Sequence, residues 1–146
     1  MQDRLRKELQ QAMKNKDSLR ASTLRLMMAE LTVKEKEHGI AVTEEDAYKV
    51  FSSMLRKRED AIQQFDKAGR DDLAQQEKAE MEIINEFLPK QLTEDEIRKE
   101  VLAVIAEVGA VDLKAMGKVM GNLTKKLAGK AQGGIISKIV KEELSK

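Results

Sequence analysis

At 146 residues, with 27 Lys and Arg against 26 Asp and Glu, the chain is nearly neutral and long enough for one good core or two small packed units. The absence of cysteine excludes disulfides, thiolate metal sites and thiol nucleophiles, while 36% charged and 3% aromatic residues point to an all-α fold. No apolar run approaches the ~18 residues of a membrane span, and the opening MQDRLRKELQ is no signal peptide, so a cytoplasmic protein without membrane contact is expected.

Leu5, Leu9, Ala12 and Met13 recur at helical spacing and predict a first helix over 4–15. Asn15-Lys16-Asp17 breaks it, and Asp17 is placed to cap the next helix. That second helix carries Leu19, Thr23, Leu26 and Val33 beside Leu24, Met27 and Leu31, an unusually wide apolar face, and Gly39 suits its left-handed end. Thr43-Glu44-Glu45-Asp46 opens a third helix with a hydroxyl cap and three acids at the positive end of the dipole. Its core side reads Ala47, Val50, Phe51, Met54, Leu55, Ala61, Ile62 and Phe65, and Gly69 stops it. The run Arg56-Lys57-Arg58, followed at once by Glu59 and Asp60, reads as a solvated face. Asp71 is the expected cap of a fourth helix bearing Leu73, Met81, Ile84, Phe87 and Leu88.

Pro89 is the only proline, and it cannot continue the helix before it. A capping box, Thr93-Glu94-Asp95-Glu96, follows directly. The expected division is an N-terminal bundle of long helices over 1–90 and a compact three-helix domain over 93–146. The three helices are read as Ile97–Val108, Leu113–Leu127 behind an Asp112 cap, and Gly133–Leu144.

The second domain segregates its charge. Between Leu113 and Lys141 stand Lys114, Lys118, Lys125, Lys126, Lys130, Lys138 and Lys141, and no acid. A one-signed stretch of this kind suits an anionic polymer. Gly117 and Gly121 fall inside a predicted helix, where each costs ~1 kcal/mol relative to alanine. Two readings offset that cost: a tight helix crossing, or close approach of the backbone to a nucleic-acid phosphate or ribose. The stretch Gly129-Lys130-Ala131-Gln132-Gly133-Gly134 is a turn and helix start whose N–H groups attract anions, or simply a glycine cap and connector. With no aromatic side chain in this domain, an RNA contact would go to backbone and shape.

Catalytic candidates are sparse. His38, the sole histidine, ends a helix whose dipole favours it without any chemistry. No serine lies in a nucleophile loop, the acid triplets fan around helix starts, and no phosphate-binding loop or cofactor motif is present.

Met116-Gly117-Lys118-Val119-Met120, Gly129-Lys130-Ala131-Gln132-Gly133 and Ile136-Ser137-Lys138-Ile139-Val140-Lys141 together resemble the tail domain of the B subunit of bacterial tRNA-dependent amidotransferase. That tail recurs in small stand-alone YqeY-like proteins. Ala12-Met13-Lys14, Ser22-Thr23-Leu24-Arg25-Leu26 and Glu86-Phe87-Leu88-Pro89-Lys90-Gln91-Leu92 are similar to the YqeY-specific half, so the resemblance covers nearly the whole chain. Two positions depart from the pattern: Lys130 stands where arginine is common, and Gln132 where aspartate is common.

The resemblance implies tRNA engagement by the tail, with glutamine hydrolysis and substrate activation lying elsewhere in the amidotransferase. It carries over a basic helical surface of Lys118, Lys125, Lys126 and Lys130 with Gly117, Gly121, Gly129 and Gly133. The expected function is a non-catalytic accessory protein that binds tRNA or another structured RNA, without a cofactor. One alternative is a protein-interaction module, in which Met27, Met28 and Met54 on the N-terminal helices bind a partner helix or mediate self-association. Another, association with glutamine-dependent carbon–nitrogen ligase activity, rests on the family alone.

Overall fold

Helix ends are written into the local sequence, and the computed structural model, which describes residues 1–146, shows how each end is closed. Helix α1 (Gln2–Lys14) stops where Lys16 adopts a left-handed φ of 57°. The Asp17 carboxylate then accepts the Arg20 N–H at 3.1 Å and starts α2 (Ser18–His38). Gly39, at φ 69°, ends α2 with its N–H on the Glu35 carbonyl. The Thr43 hydroxyl accepts the Asp46 N–H at 3.1 Å to open α3 (Glu44–Lys67). At the far end, Gly69 N–H bonds Asp66 O and Arg70 N–H bonds Phe65 O, the paired closure of a Schellman turn.

Helix α4 (Asp71–Asn85) departs from expectation at its start. Arg70 occupies the cap position and Asp71 is already in the first turn, beside Asp72. The two acids act there on the helix dipole, so no side-chain cap is needed.

These four helices form one unit, Met1–Leu88. Its core is Leu5, Leu24, Met27, Leu31, Ala47, Phe51, Met54, Leu55, Ile84 and Phe87. Removing a fully enclosed chain such as Leu24 or Phe51 would cost about 2–5 kcal/mol. Two members of the wide apolar face of α2 stay outside this core: Leu26 and Val33 are 48% and 53% exposed.

Arg58 is also placed differently from its reading as solvated surface. It is half-buried against α4, with its Nε 3.0 Å from Glu80 and 3.8 Å from Glu77, and its Nη1 on the Met54 carbonyl. A second cluster ties α1, α2 and the end of α4. Arg20 reaches Glu8 at 3.0 Å and Glu86 at 2.6 Å, while Arg4 lies 4.5 Å above the Phe87 ring.

The second unit, Pro89–Lys146, starts α5 (Glu94–Val108) from Thr93, whose hydroxyl accepts the Glu96 N–H and donates to the Glu96 carboxylate. Gly109, at φ 69°, closes α5 with Ala110 N–H on Ile105 O. The single helix expected over 113–127 is split. Asp112 accepts the Lys114 N–H two residues on, which tightens Leu113–Ala115 into a 3-10 turn before α6 (Met116–Lys126). Helix α7 (Gly133–Leu144) completes the unit. Ile97, Val101, Val104, Val119, Leu123, Leu127, Ile136, Ile139, Val140 and Leu144 make its core. Arg98 of α5 bonds both Glu142 and Glu143 of α7 and so fixes that pair of helices. The whole chain is all-α, with no strand, and no helix is long and apolar enough to cross a membrane.

Candidate nucleic-acid interface

The phase of α6 follows from its apolar residues. Val119 and Leu123 are fully buried, so the opposite side of the helix must face solvent. Lys118, Gly121 and Lys125 fall on that side, with Lys114 one turn before in the 3-10 turn and Gly117 adjacent; all are exposed. The spacing of Lys114, Lys118, Gly121 and Lys125 is i, i+4, i+7, i+11, a single stripe along the outer face.

A Cβ added to Gly117 or Gly121 would meet nothing within 4 Å. A tight crossing within this unit is therefore excluded, because none of its other helices occupies the space. What remains is helical backbone laid open between lysines.

Gly129 differs in kind. It is buried and sits at φ 73°, so its role is to end α6 and turn the chain. The Lys130 N–H bonds Leu127 O at 2.9 Å, and the Lys130 carbonyl accepts the Leu92 N–H at 2.9 Å. Gln91 adds its side-chain amide to the Gly129 carbonyl at 2.6 Å. The connector is thus clamped from both sides while the Lys130 side chain stays exposed. Gln91 and Leu92 carry no charge or motif that would mark them in the sequence as partners of this turn. Gly133 opens α7 and is exposed, with open space where a side chain would be.

Two of the lysines are drawn toward acids. Lys126 projects from the flank of α6 and meets Glu100 of α5 at 2.8 Å. That bond raises the ammonium above its ordinary value, with a smaller contribution from the charge of Glu107. Lys138, exposed on α7, helps to hold Glu142 below the usual carboxylate range, after the larger effect of Arg98. The acid-free stretch of sequence is thus not acid-free in space. Lys114, Lys118, Lys125 and Lys130 make no ion pair in the fold, and Lys126 does.

His38 is exposed at the end of α2, and no three His, Asp or Glu side chains gather as a metal site would require.

Comparison with known proteins gives a consistent relationship. The model of a family described as Yqey-like protein matches residues 2–144. An uncharacterized protein of Schizosaccharomyces pombe is 35% identical over 59% of this chain and 70% of its own length. Altered inheritance of mitochondria protein 41 of Vanderwaltozyma polyspora is 37% identical over 58% of this chain, which spans about half of that relative (46%). The protein of the same name from Clavispora lusitaniae is 30% identical over 85% of this chain and 74% of its length. Both carry the designation mitochondrial, and this overturns the expectation of a cytoplasmic protein. That expectation rested on the lack of a membrane span and of a recognisable signal peptide, and neither property distinguishes one aqueous compartment from another.

Proposed function

This chain belongs to the Yqey-like protein family, and on that premise we propose that its second unit binds a structured RNA such as tRNA, without catalysing a reaction of its own. The observation that carries the reading is the outer face of α6, where exposed Lys118 and Lys125 flank the open backbone of Gly117 and Gly121. Lysine is a point charge suited to phosphate, and each contact releases a condensed counterion from the nucleic acid. A helix bare of side chains at two positions lets a sugar–phosphate strand approach the axis more closely than alanine would allow. Lys114 and Lys130, exposed at the two ends of α6, extend the charge along the backbone's path.

The chemistry favours shape over sequence. No aromatic ring is available in Pro89–Lys146 for stacking on splayed bases, so double-helical RNA with its accessible minor groove is the better ligand. The test is fluorescence anisotropy of the full chain against bulk tRNA and against a single-stranded RNA of equal length, at several salt concentrations. Preferential, salt-sensitive binding of tRNA that the Lys118→Glu, Lys125→Glu double variant loses is expected. Equal affinity of the double variant would overturn the reading.

A further inference from the structure

Helix α2 carries a second, partly apolar seam that lies outside the core of the first unit. Its core side is Leu24, Met27 and Leu31. On the other side, Ser22, Leu26, Ala29, Val33 and Lys36 follow one another at alternating spacings of four and three residues, and all five are exposed. That is the a/d spacing of a coiled coil, with Leu26 and Val33 at one core position and the small residues Ser22 and Ala29 at the other. A monomeric surface helix needs only one such stripe. Just past the helix, Gly39 turns the chain so that Ile40, 69% exposed, lies with Thr32 and Lys36 around a shallow hollow and lengthens the apolar strip.

We infer that this seam pairs with the same seam of a second copy of the chain, as a parallel two-helix interface on a two-fold axis. Parallel pairing brings each position opposite itself, so Leu26 meets Leu26 and Val33 meets Val33. A β-branched residue at that position favours two strands. Ser22 and Ala29 leave room for the two backbones to approach.

The flanking charges select the partner and the direction. In a parallel pair, a residue just before the seam faces one five positions on in the other chain. Arg25 and Glu30 stand in that relation, and both are exposed. The ion pairs that anchor α2 inside the first unit go through Arg20 instead, leaving Arg25 and Glu30 to the solvent. Two symmetric Arg25–Glu30 pairs would form across the axis. Lys36 would insert beside Glu37 of the other copy, and its burial opposite itself fixes the register at some cost in affinity. An antiparallel pair would place Glu30 and Glu37 on one shared flank and leave Arg25 without an acid. This proposal is independent of RNA binding by the second unit.

Sedimentation equilibrium of the full chain, from micromolar to millimolar concentration, tests it. A reversible monomer–dimer equilibrium is expected, and Val33→Glu or Ala29→Glu should leave a helical monomer. Arg25→Glu and Glu30→Arg should each weaken the dimer roughly tenfold, and the combined exchange should restore it. Because the chain has no native cysteine, Ser22→Cys and Lys36→Cys report direction directly. Both should form disulfide-linked dimers with themselves. A chain that stays monomeric throughout, a dimer indifferent to Val33→Glu, or failure of both cysteine variants to self-link overturns the inference.

Discussion

The side-chain amide of Gln91 donates a 2.6 Å hydrogen bond to the carbonyl of Gly129, 38 residues further along the chain. One position later, the Leu92 N–H holds the Lys130 carbonyl. The segment that leaves the proline is therefore the brace of the turn that presents Lys130. Gln91→Ala removes the bond while leaving the exposed lysines in place. It should speed amide exchange at Lys130 and weaken tRNA binding several-fold without changing the total helicity, an outcome read by hydrogen exchange and anisotropy on the same sample.

Gly117 and Gly121 give opposite signs for stability and binding. Each sits in a helix with open space at the Cβ position, so alanine there gains about 1 kcal/mol of helix propensity without a clash. Chemical denaturation should show Gly121→Ala to be more stable than the parent. The same variant should bind tRNA less tightly, because the added methyl holds the ribose–phosphate strand off the helix. A stabilised variant with unaltered affinity would detach the glycines from the ligand.

Lys125 and Lys126 are neighbours in sequence and differ in circumstance. The Lys126 ammonium already bonds Glu100, whereas Lys125 stands on the outer stripe. Neutralising Lys125 with glutamine should lower the slope of log affinity against log salt by nearly one. Lys126→Gln should change that slope less, since its charge is partly compensated before RNA arrives.

Acid affects the first unit through Arg58. Two carboxylates share this guanidinium, and Glu80 takes the shorter bond. Glu77 is left with burial as its main influence and the Glu80 charge as its second, and both push its carboxyl above the ordinary value. A raised carboxyl favours the protonated folded state. Its contribution to stability is thus complete below the unfolded value and is lost as the pH climbs through the folded one. Glu77→Gln should therefore make the chain at least as stable as the parent at neutral pH, with a smaller change between pH 7 and the mildly acidic range. Urea midpoints at the two pH values check this. Arg58→Met, by contrast, leaves Glu80 buried without a cation and should cost about 3 kcal/mol at neutral pH.

Much of the architecture was legible because caps and glycines act locally. Asp17, Thr43 and Thr93 open their helices through bonds that reach three residues on, and Gly39, Gly69 and Gly109 end α2, α3 and α5 with a left-handed φ. What lay beyond the sequence was pairing across elements. Leu26 and Leu24 look alike in a list of apolar residues, yet only the length and direction of α1, α3 and α4 decide which one is covered. Arg58 read as solvated because Glu59 and Asp60 follow it, whereas its carboxylate partners come from another helix. For the lysines the stripe on α6 was readable from spacing, while the capture of Lys126 by Glu100 depends on how α5 packs. The two readings of Gly117 and Gly121 could not be separated until the space above them was known.

All the phenylalanine and tyrosine side chains of this protein, Tyr48, Phe51, Phe65 and Phe87, belong to Met1–Leu88. Ultraviolet absorbance and tyrosine emission will consequently follow the amino-terminal helices alone, and melting of the lysine-bearing half will be spectroscopically silent except in the peptide bands. A tryptophan introduced at the exposed Leu113 would give that half its own optical signal and let the two halves be titrated separately in one cuvette.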